Sequence, residues 1–344
     1  MAALPKTQNR SARAIDMHVH VYRPGKQTTA VREKILSRGS LPDGIAVPSI
    51  LNGDIVNQGF GPEEFLQNAI ANGVAQGLLL PVAPFGTRPE VVRKYNQWHA
   101  EIQTTRRGEL ISLGTINPFM SEKAAAAELD FIRENFIGVK FHSFLQGFNP
   151  LAPELGSLFE EISARNLSMF WHTGAPEIYA RTNTLPEHLV KIYDAYCAKD
   201  NLATVWAHLG AQRFGDYFLD YLAEHENIFL DFAYTYALDY AVYGTELEGK
   251  PVEHDGRWDF YFDLTNPRYL DKLLKKLGPK RFFMGSDYPY TSMVVMMRAV
   301  NRMFEVHELN SEERNAILSG NARRFFSLMG EIQPDKSELL SPFC

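Results

Sequence analysis

The sequence predicts a (β/α)₈ TIM barrel, distorted by long insertions after its first and seventh strands. Eight short apolar runs alternate with stretches of helical spacing, which is the pattern of repeated βα units around a parallel sheet. The chain has no glycine-rich phosphate loop of the GxGxxG or GxxxxGK type, so an open nucleotide-binding sheet is disfavoured. Its 344 residues suit one barrel enlarged by insertion.

The predicted strands are short runs of aliphatic, β-branched and aromatic residues. They occupy residues 14–21, 75–82, 110–116, 138–142, 168–174, 202–210, 227–234 and 281–288. Several of the intervening helices open with Pro-Glu, because proline suits the first turn and glutamate suits the positive end of the helix dipole. Helices are predicted at 89–108, 122–135, 153–166, 186–200, 214–226 and 268–278.

Two connections are too long for simple loops, residues 22–73 after the first strand and residues 235–266 after the seventh. Long βα loops lie at the carboxyl-terminal mouth of a barrel, where such enzymes bind substrate. Both insertions are therefore candidate pocket walls or lids, with surface decoration or subunit contacts as the alternative. We expect one domain, 14–330, between an N-terminal tail, 1–13, and a C-terminal tail, 331–344.

Charge and composition argue against several classes of partner. The net charge is −6 and the basic residues are dispersed, so neither nucleic acid nor an anionic membrane is an expected partner. No apolar run reaches the roughly 18–20 residues that span a bilayer. The polar start has no hydrophobic signal region, and two cysteines make no disulfide framework. A cytoplasmic location is the expectation.

Polar side chains with metal-binding chemistry recur at the ends of predicted strands. Side chains alternate along a strand, so His18 and His20 point to one side, which we take as the barrel interior. Alone, this pair is also compatible with two hydrogen-bonded histidines. Other strand ends contribute His172, His208 and Asp287 to the same region. Imidazole and carboxylate suit zinc and other divalent ions, so the set predicts a metal site in which His208 is either a ligand or a base.

Six motifs taken in order resemble the amidohydrolase superfamily: DMHVH, GVKFH, WHTG, AHLGA, GSDYP and ILSGNARRFF. The closer resemblance is to the amidohydrolase-related branch that includes aminocarboxymuconate semialdehyde decarboxylase, and it spans roughly residues 14–327. It implies that His18, His20, His172 and Asp287 ligate one divalent ion, with zinc expected and manganese, iron or cobalt as alternatives. It also implies that His208 is the acid–base residue beside a metal-bound water, which Asp287 orients. Ala211 departs from the pattern, since many relatives have glycine there.

Further residues are candidates for contact with substrate. In GVKFH, alternation places Lys140 and His142 towards the pocket if their neighbours meet the helices. Lys140 is interpreted as a substrate-anion contact, with a carbamate bridging two metal ions or a charge at the barrel mouth as alternatives. Arg213 is a candidate clamp for a substrate carboxylate or else a surface residue, and Tyr290 is a candidate pocket wall or else a packing residue. Histidines in helices and loops, such as His99, are expected to face solvent or to bond locally.

The leading functional prediction is a metal-dependent hydrolase that uses a metal-activated water on a small polar substrate, such as a lactone or amide bearing a carboxylate. The alternative is non-oxidative decarboxylation of an aromatic or unsaturated acid with the same ligands. A second alternative is a barrel without catalysis that serves as a binding protein. A homodimer is expected from the resemblance and from the apolar segments of 235–262, which need cover. The motifs do not specify the substrate.

Overall fold

The computed structural model describes residues 14–23, 60–173, 186–210, 216–233, 267–291, 293–332 and 340. Every predicted strand is present within them, and each is shorter than the apolar run that predicted it. The strands are β1 Ala14–Val19, β2 Val74–Leu79, β3 Leu110–Ser112, β4 Gly138–Phe141, β5 Ser168–Trp171, β6 Thr204–Trp206, β7 Ile228–Asp231 and β8 Phe282–Phe283. The shortening leaves most of the candidate site residues just beyond the strand ends.

The strands are parallel and neighbour one another in chain order. β1 to β3 form one sheet and β4 to β8 form another. Single parallel bridges cross the two seams, between Gly114 and Val139 and between Val19 and Tyr288. The eight strands therefore follow one another around a ring, which confirms the predicted barrel class.

The six predicted helices are also present, together with five further helices among the described residues. The α-helices are α1 Pro62–Ala71, α2 Pro89–Thr105, α3 Glu122–Asn135, α4 Ser143–Gln146, α5 Gly156–Ala164, α6 Pro186–Tyr196, α7 Asp216–Glu224, α8 Pro267–Leu277, α9 Met293–Val306, α10 Ser311–Asn315 and α11 Asn321–Ile332. Shorter turns are the helical turn Ala207–Gly210, the 3₁₀ turns Pro153–Leu155 and Pro279–Arg281, and the π turn Ala316–Gly320. Helix α1 forms the end of the predicted first insertion.

Apolar side chains form two layers, one on each side of the strands. On the outside, Phe141 and Trp171 stack with ring centroids 4.6 Å apart and meet Phe159 of α5. The inner layer fills the lower barrel, and Phe325 of α11 packs there against Phe229. Because apolar residues close the amino-terminal end, the polar strand ends collect at the opposite mouth.

Some sequence predictions fall outside the described residues. They are the insertion 235–266 and the apolar segments within it, positions 24–59 of the first insertion, Arg213, Ala211 and most of both tails. Among the described helices, none combines the length and the apolar character needed to cross a membrane.

Candidate metal centre

The seam between β1 and β8 brings three of the four predicted ligands together. Asp287 donates its backbone N–H to the carbonyl of His18, with a distance of 2.9 Å. Two residues further along the chain, His20 donates its N–H to the carbonyl of Tyr288 at 2.7 Å. These bonds hold the end of β1 beside the loop after β8, so the side chains of His18, His20 and Asp287 share one buried volume.

The imidazoles of His18 and His20 both direct Nε2 at the same carboxylate oxygen. Nε2 of His20 lies 3.2 Å from Oδ1 of Asp287, and Nε2 of His18 lies 3.5 Å from it. Nδ1 of His20 is 2.7 Å from the carbonyl of Leu80, which can only accept, so this nitrogen carries a proton. Nδ1 of His18 is 2.8 Å from Oδ2 of Asp231. Each ring is thus held by a hydrogen bond at Nδ1, and its Nε2 faces the carboxylate of Asp287.

The charges of this cluster suit a divalent cation. Burial, reinforced by the charge of Lys140, holds the pKa of His18 well below its ordinary value. Burial by itself would raise the pKa of Asp287, but the facing imidazoles of His18 and His20 bring it down to about 2. A neutral imidazole bonded through Nδ1 has a lone pair on Nε2, and here two such atoms face an ionised carboxylate oxygen. Two nitrogen acceptors and a carboxylate oxygen in contact fit a cation between them.

His172 and His208 form a second part of the site, adjacent to the first. Nε2 of His208 lies 3.0 Å from Nδ1 of His172, and Nδ1 of His208 lies 2.8 Å from the carbonyl of Ala233. His172 also stacks on His142, with ring centroids 3.6 Å apart. Burial, with His142 and His208 as neighbours, lowers the pKa of His172 well below its ordinary value.

The described side chains form two groups compact enough to share an ion. One contains His18, His20 and Asp287, and the other contains His18, His208 and Asp231. The structure therefore gathers three of the four predicted ligands, while His172 lies outside both groups and contacts His208. His208 belongs to one of the groups, so both roles that the sequence left open for it, ligand and base, are compatible with its position.

Lys140 is enclosed within the barrel. Its side chain is fully buried, and Nζ lies 4.4 Å from the centroid of the Phe170 ring. Among the described residues Nζ has no hydrogen-bond partner. Burial lowers the pKa of Lys140 to about 7, against the opposing pull of Asp231 and Asp287. The alternative of a charge reaching solvent at the barrel mouth is therefore wrong.

The remaining contact candidate in the described part of the chain lies beside His20. The Tyr290 ring meets the His20 ring edge to face, with centroids 6.0 Å apart. Its hydroxyl is 2.8 Å from the hydroxyl of Tyr22. Phe60 packs against both tyrosines. Tyr290 thus packs in an aromatic cluster beside the candidate metal centre, and its role as a pocket wall stays a prediction.

The backbone is strained at His208 and Asp287 of the site and at Leu209. His208 and Leu209 have φ of 52°, and Asp287 has φ of 60°, which is the left-handed region that residues other than glycine rarely adopt. Such conformations cost of order 1–3 kcal/mol each and persist only where surrounding bonds determine them. At His208 one of those bonds is from its backbone N–H to Oδ1 of Asp231, at 2.8 Å.

Sequence reasoning did not identify Asp231 or Asp16 as parts of the site. Asp231 ends β7 and is fully buried, with its two oxygens on His18 and His208. Asp16 is equally buried, and its Oδ1 accepts the backbone N–H groups of His18 and Ser286. For Asp231, the sequence signal that could have found it was a single acidic residue in an otherwise apolar predicted strand. That pattern marks a buried carboxylate, which requires partners.

Fold and site together define a class: a (β/α)₈ barrel with a cluster of possible metal ligands at the carboxyl ends of its strands. A family model described as amidohydrolase matches residues 15–328. The chain belongs to the amidohydrolase family, which confirms the resemblance seen in the motifs. No protein of curated function matches the chain significantly.

Solved structures with the same fold share little sequence with this chain. The 5-carboxyvanillate decarboxylase of Sphingomonas paucimobilis is 18% identical with a TM-score of 0.59, covering 92% of this chain and 99% of its own. The Novosphingobium aromaticivorans 5-carboxyvanillate decarboxylase, solved as a variant with manganese, is 15% identical with a TM-score of 0.62, at 94% and 99% coverage. A Pseudomonas putida protein named as a proposed 2-pyrone-4,6-dicarboxylic acid hydrolase is 20% identical with a TM-score of 0.53, at 92% and 98% coverage. At these identities the likeness establishes the fold.

Proposed function

We propose that this chain is a metal-dependent hydrolase of a small molecule that carries a carboxylate, such as a lactone or an amide. The observation that carries the proposal is the convergence of His18 and His20, through Nε2, on Oδ1 of Asp287. These three residues would hold one divalent ion, and His172 is proposed as the fourth ligand. Zinc is the expected ion, with manganese, iron or cobalt as alternatives. When bound, such an ion polarises a carbonyl group and lowers the pKa of water.

His208 is the proposed acid–base residue. Its Nδ1 faces a carbonyl oxygen and must donate, so the neutral ring accepts a proton at Nε2. In this structure Nε2 is paired with Nδ1 of His172, so it reaches a substrate atom only when that bond is exchanged. The strained turn fixes the ring beside the proposed ligands, with the His18 and His208 centroids 4.9 Å apart.

Lys140 is proposed to bind the substrate carboxylate. A buried ammonium without a hydrogen-bond partner among the described residues destabilises the fold, so its presence calls for a compensating role. An anion entering the barrel would pair with Nζ and favour the charged form of the lysine. The rings of Tyr22 and Tyr290, which pack on the buried Phe60, are proposed to offer flat apolar surface for the rest of a small cyclic substrate.

Decarboxylation is the second candidate, and one observation favours it. The structural neighbours from Sphingomonas and Novosphingobium are named for decarboxylation of 5-carboxyvanillate, an aromatic acid, and the second contains manganese. The same ligand set, with His208 supplying a proton to carbon instead of removing one from water, would serve that reaction. Lys140 would again bind a carboxylate.

The test is a product assay on protein loaded with zinc or manganese and offered lactones, amides and aromatic acids. Hydrolysis of a lactone or ester-like bond releases a proton and a new carboxylate, whereas decarboxylation releases CO₂. We expect turnover that forms a new carboxylate without CO₂, with net proton release from a lactone but none from an amide, whose amine product takes up the proton. This turnover should fall by about 10²-fold or more in His208→Asn. Asparagine tolerates positive φ, so the turn at this position should survive.

Release of CO₂ from an aromatic acid would show that the chain is a decarboxylase and not a hydrolase. Tight binding of carboxylates without any turnover would support the binding barrel instead. Unchanged turnover in a folded, metal-loaded His208→Asn variant would remove His208 from the mechanism.

A further inference from the structure

A single buried carboxylate joins two histidines of the site. Asp231 is the last residue of β7 and is fully buried. Its Oδ2 lies 2.8 Å from Nδ1 of His18, and its Oδ1 accepts the backbone N–H of His208 at 2.8 Å and of Ala233 at 3.1 Å. We propose that Asp231 is a positioning residue that places the proton of His18 on Nδ1 and fixes the turn that carries His208. The inference rests on the metal site proposed above.

The two oxygens of Asp231 have different partners. Oδ1 meets two backbone N–H groups, which can only donate, so Oδ1 is committed as an acceptor. Oδ2 is left for the imidazole of His18. An acceptor at that point stabilises the tautomer with hydrogen on Nδ1, and the lone pair is then on Nε2, the atom that faces Asp287. A carboxylate behind a histidine in this way sets which nitrogen binds metal.

Asp231 also supports the hydrogen bond that holds the ring of His208. Nδ1 of His208 donates to the carbonyl of Ala233, two residues beyond Asp231. By accepting the N–H of Ala233, Oδ1 shapes the chain that presents this carbonyl. The same oxygen holds the backbone N–H of His208 in its left-handed conformation. Two of the proposed functional histidines therefore depend on one side chain.

Packing leaves little freedom for this arrangement to shift. A Cβ at Gly285 would lie 2.9 Å from Cβ of His18 and 3.1 Å from Cβ of Ala233. The glycine thus allows the chain after β8 to approach His18 and Ala233, two of the partners of Asp231. His18 and Asp231 are both fully buried, so their hydrogen bond is shielded from bulk solvent.

Asparagine at position 231 makes the two roles separable. Its carbonyl must occupy the place of Oδ1, because its NH₂ group there would face two N–H donors. The NH₂ group then lies against Nδ1 of His18 and donates to it, which moves the ring proton to Nε2. Asp231→Asn therefore has nearly the shape of the native residue and still accepts the bonds from His208 and Ala233, but it should reverse the tautomer of His18. A change of this kind removes a ligand without removing a side chain.

The experiment is ¹⁵N NMR of metal-free protein labelled at the histidine rings, in which protonated and unprotonated ring nitrogens have distinct shifts. Signals of His18 and His208 are assigned by their loss in His18→Asn and His208→Asn. In the native protein we expect hydrogen on Nδ1 of both rings. In Asp231→Asn, His18 should switch to Nε2–H while His208 keeps Nδ1–H.

Metal titration gives the second measurement, with zinc as the probe. Affinity should fall by about 10–100-fold in Asp231→Asn, the usual cost of losing such a partner. The matched control is Glu128→Gln, which changes a buried carboxylate of helix α3 whose oxygens accept from Arg93 and Asn96 and not from a histidine of the site. The control should leave the His18 tautomer unchanged and the zinc affinity within about threefold of native.

Two results would overturn the inference: Nε2–H on His18 in the native metal-free protein, or an unchanged His18 tautomer in a folded Asp231→Asn variant. The native measurement decides the matter even if the variant does not fold. A native protein that binds no zinc but shows Nδ1–H on His18 and the switch in the variant would refute the proposed function alone. The positioning role would then stand without a metal.

Discussion

His99 provides a pH test of the described core that is independent of catalysis. The side chain is 1% exposed, and Nδ1 lies 2.9 Å from Oγ of Ser112. Because that hydroxyl donates to the carbonyl of Leu113, the histidine nitrogen must be the donor. Burial lowers the pKa of His99 to about 3, assisted by the charges of His20 and Arg23.

The sign of the effect follows from where the proton binds. In the unfolded chain a histidine gains a proton below its ordinary pKa of about 6.5, whereas in the folded protein His99 stays neutral down to about pH 3. Stability is therefore lost as the pH falls from about 6.5 towards about 3. At about pH 5 the difference is roughly 1.5 pKa units, which at 1.36 kcal/mol per unit is about 2 kcal/mol.

The perturbation is His99→Asn, whose side chain can still donate to Ser112 but does not titrate. Urea unfolding of metal-free protein at about pH 7.5 and about pH 5 gives the free energy of unfolding for both chains. Removing the ring lowers the free energy of unfolding at both pH values. The informative quantity is therefore how much this free energy falls in each protein between the higher and the lower pH. We expect that loss to be smaller by about 2 kcal/mol in the variant. An equal loss in both proteins would refute the assignment of a buried, neutral His99.

Three further substitutions test the site and its support. Gly285→Ala would place Cβ 2.9 Å from Cβ of His18, so we expect metal binding to weaken by about tenfold or more at retained secondary structure, measured by zinc titration and circular dichroism. Arg281→Met removes donors to the carbonyls of Leu222, His225 and Ile228 and should cost about 3 kcal/mol in urea unfolding. Lys140→Met removes a buried ammonium whose pKa is about 7, so the protein should gain about 1–4 kcal/mol at neutral pH while carboxylate ligands bind more weakly.

Each of these changes has a control or a contrary result. Gly320→Ala places Cβ at an ordinary 3.4 Å and should leave zinc affinity unchanged; equal losses at both glycines would contradict the packing argument. Arg106→Met breaks exposed pairs with Glu63 and Glu109 and should cost less than about 1 kcal/mol. A Lys140→Met protein that is less stable than native would show that the lysine is structural.

The barrel was predictable because its signal is local. Eight apolar runs with interleaved helical spacing indicate βα units wherever they occur, and the motif at 122–135 coincides with helix α3, Glu122–Asn135. The strand-end positions of His18, His20 and Asp287 followed from the same pattern. Helix α1 opens with Pro62-Glu63, as several predicted helices do, but it was missed because it follows a long stretch without periodicity.

The parts that were not predictable depend on long-range contacts. Asp231 is 213 positions from His18 and 23 from His208, so no spacing rule links them. The pairing of His172 with His208 depends on a left-handed turn, which local propensity disfavours. His99 was expected at the surface or in a local bond, yet helix α2 turns it inward to a partner on β3. Helical context alone does not say which face is buried.

Metal content tests the central claim most directly. Protein purified without chelators or a histidine tag would be analysed by plasma mass spectrometry beside a His18→Ala/His20→Ala variant, with His225→Ala as a control, since His225 bonds its own helix at the carbonyl of Tyr221. The account predicts about one divalent transition metal per chain in the native protein and the control, lost from the folded double variant. About two per chain would instead favour a bridging carbamate on Lys140. No metal in the native protein, even after reconstitution with zinc and manganese, would contradict the account.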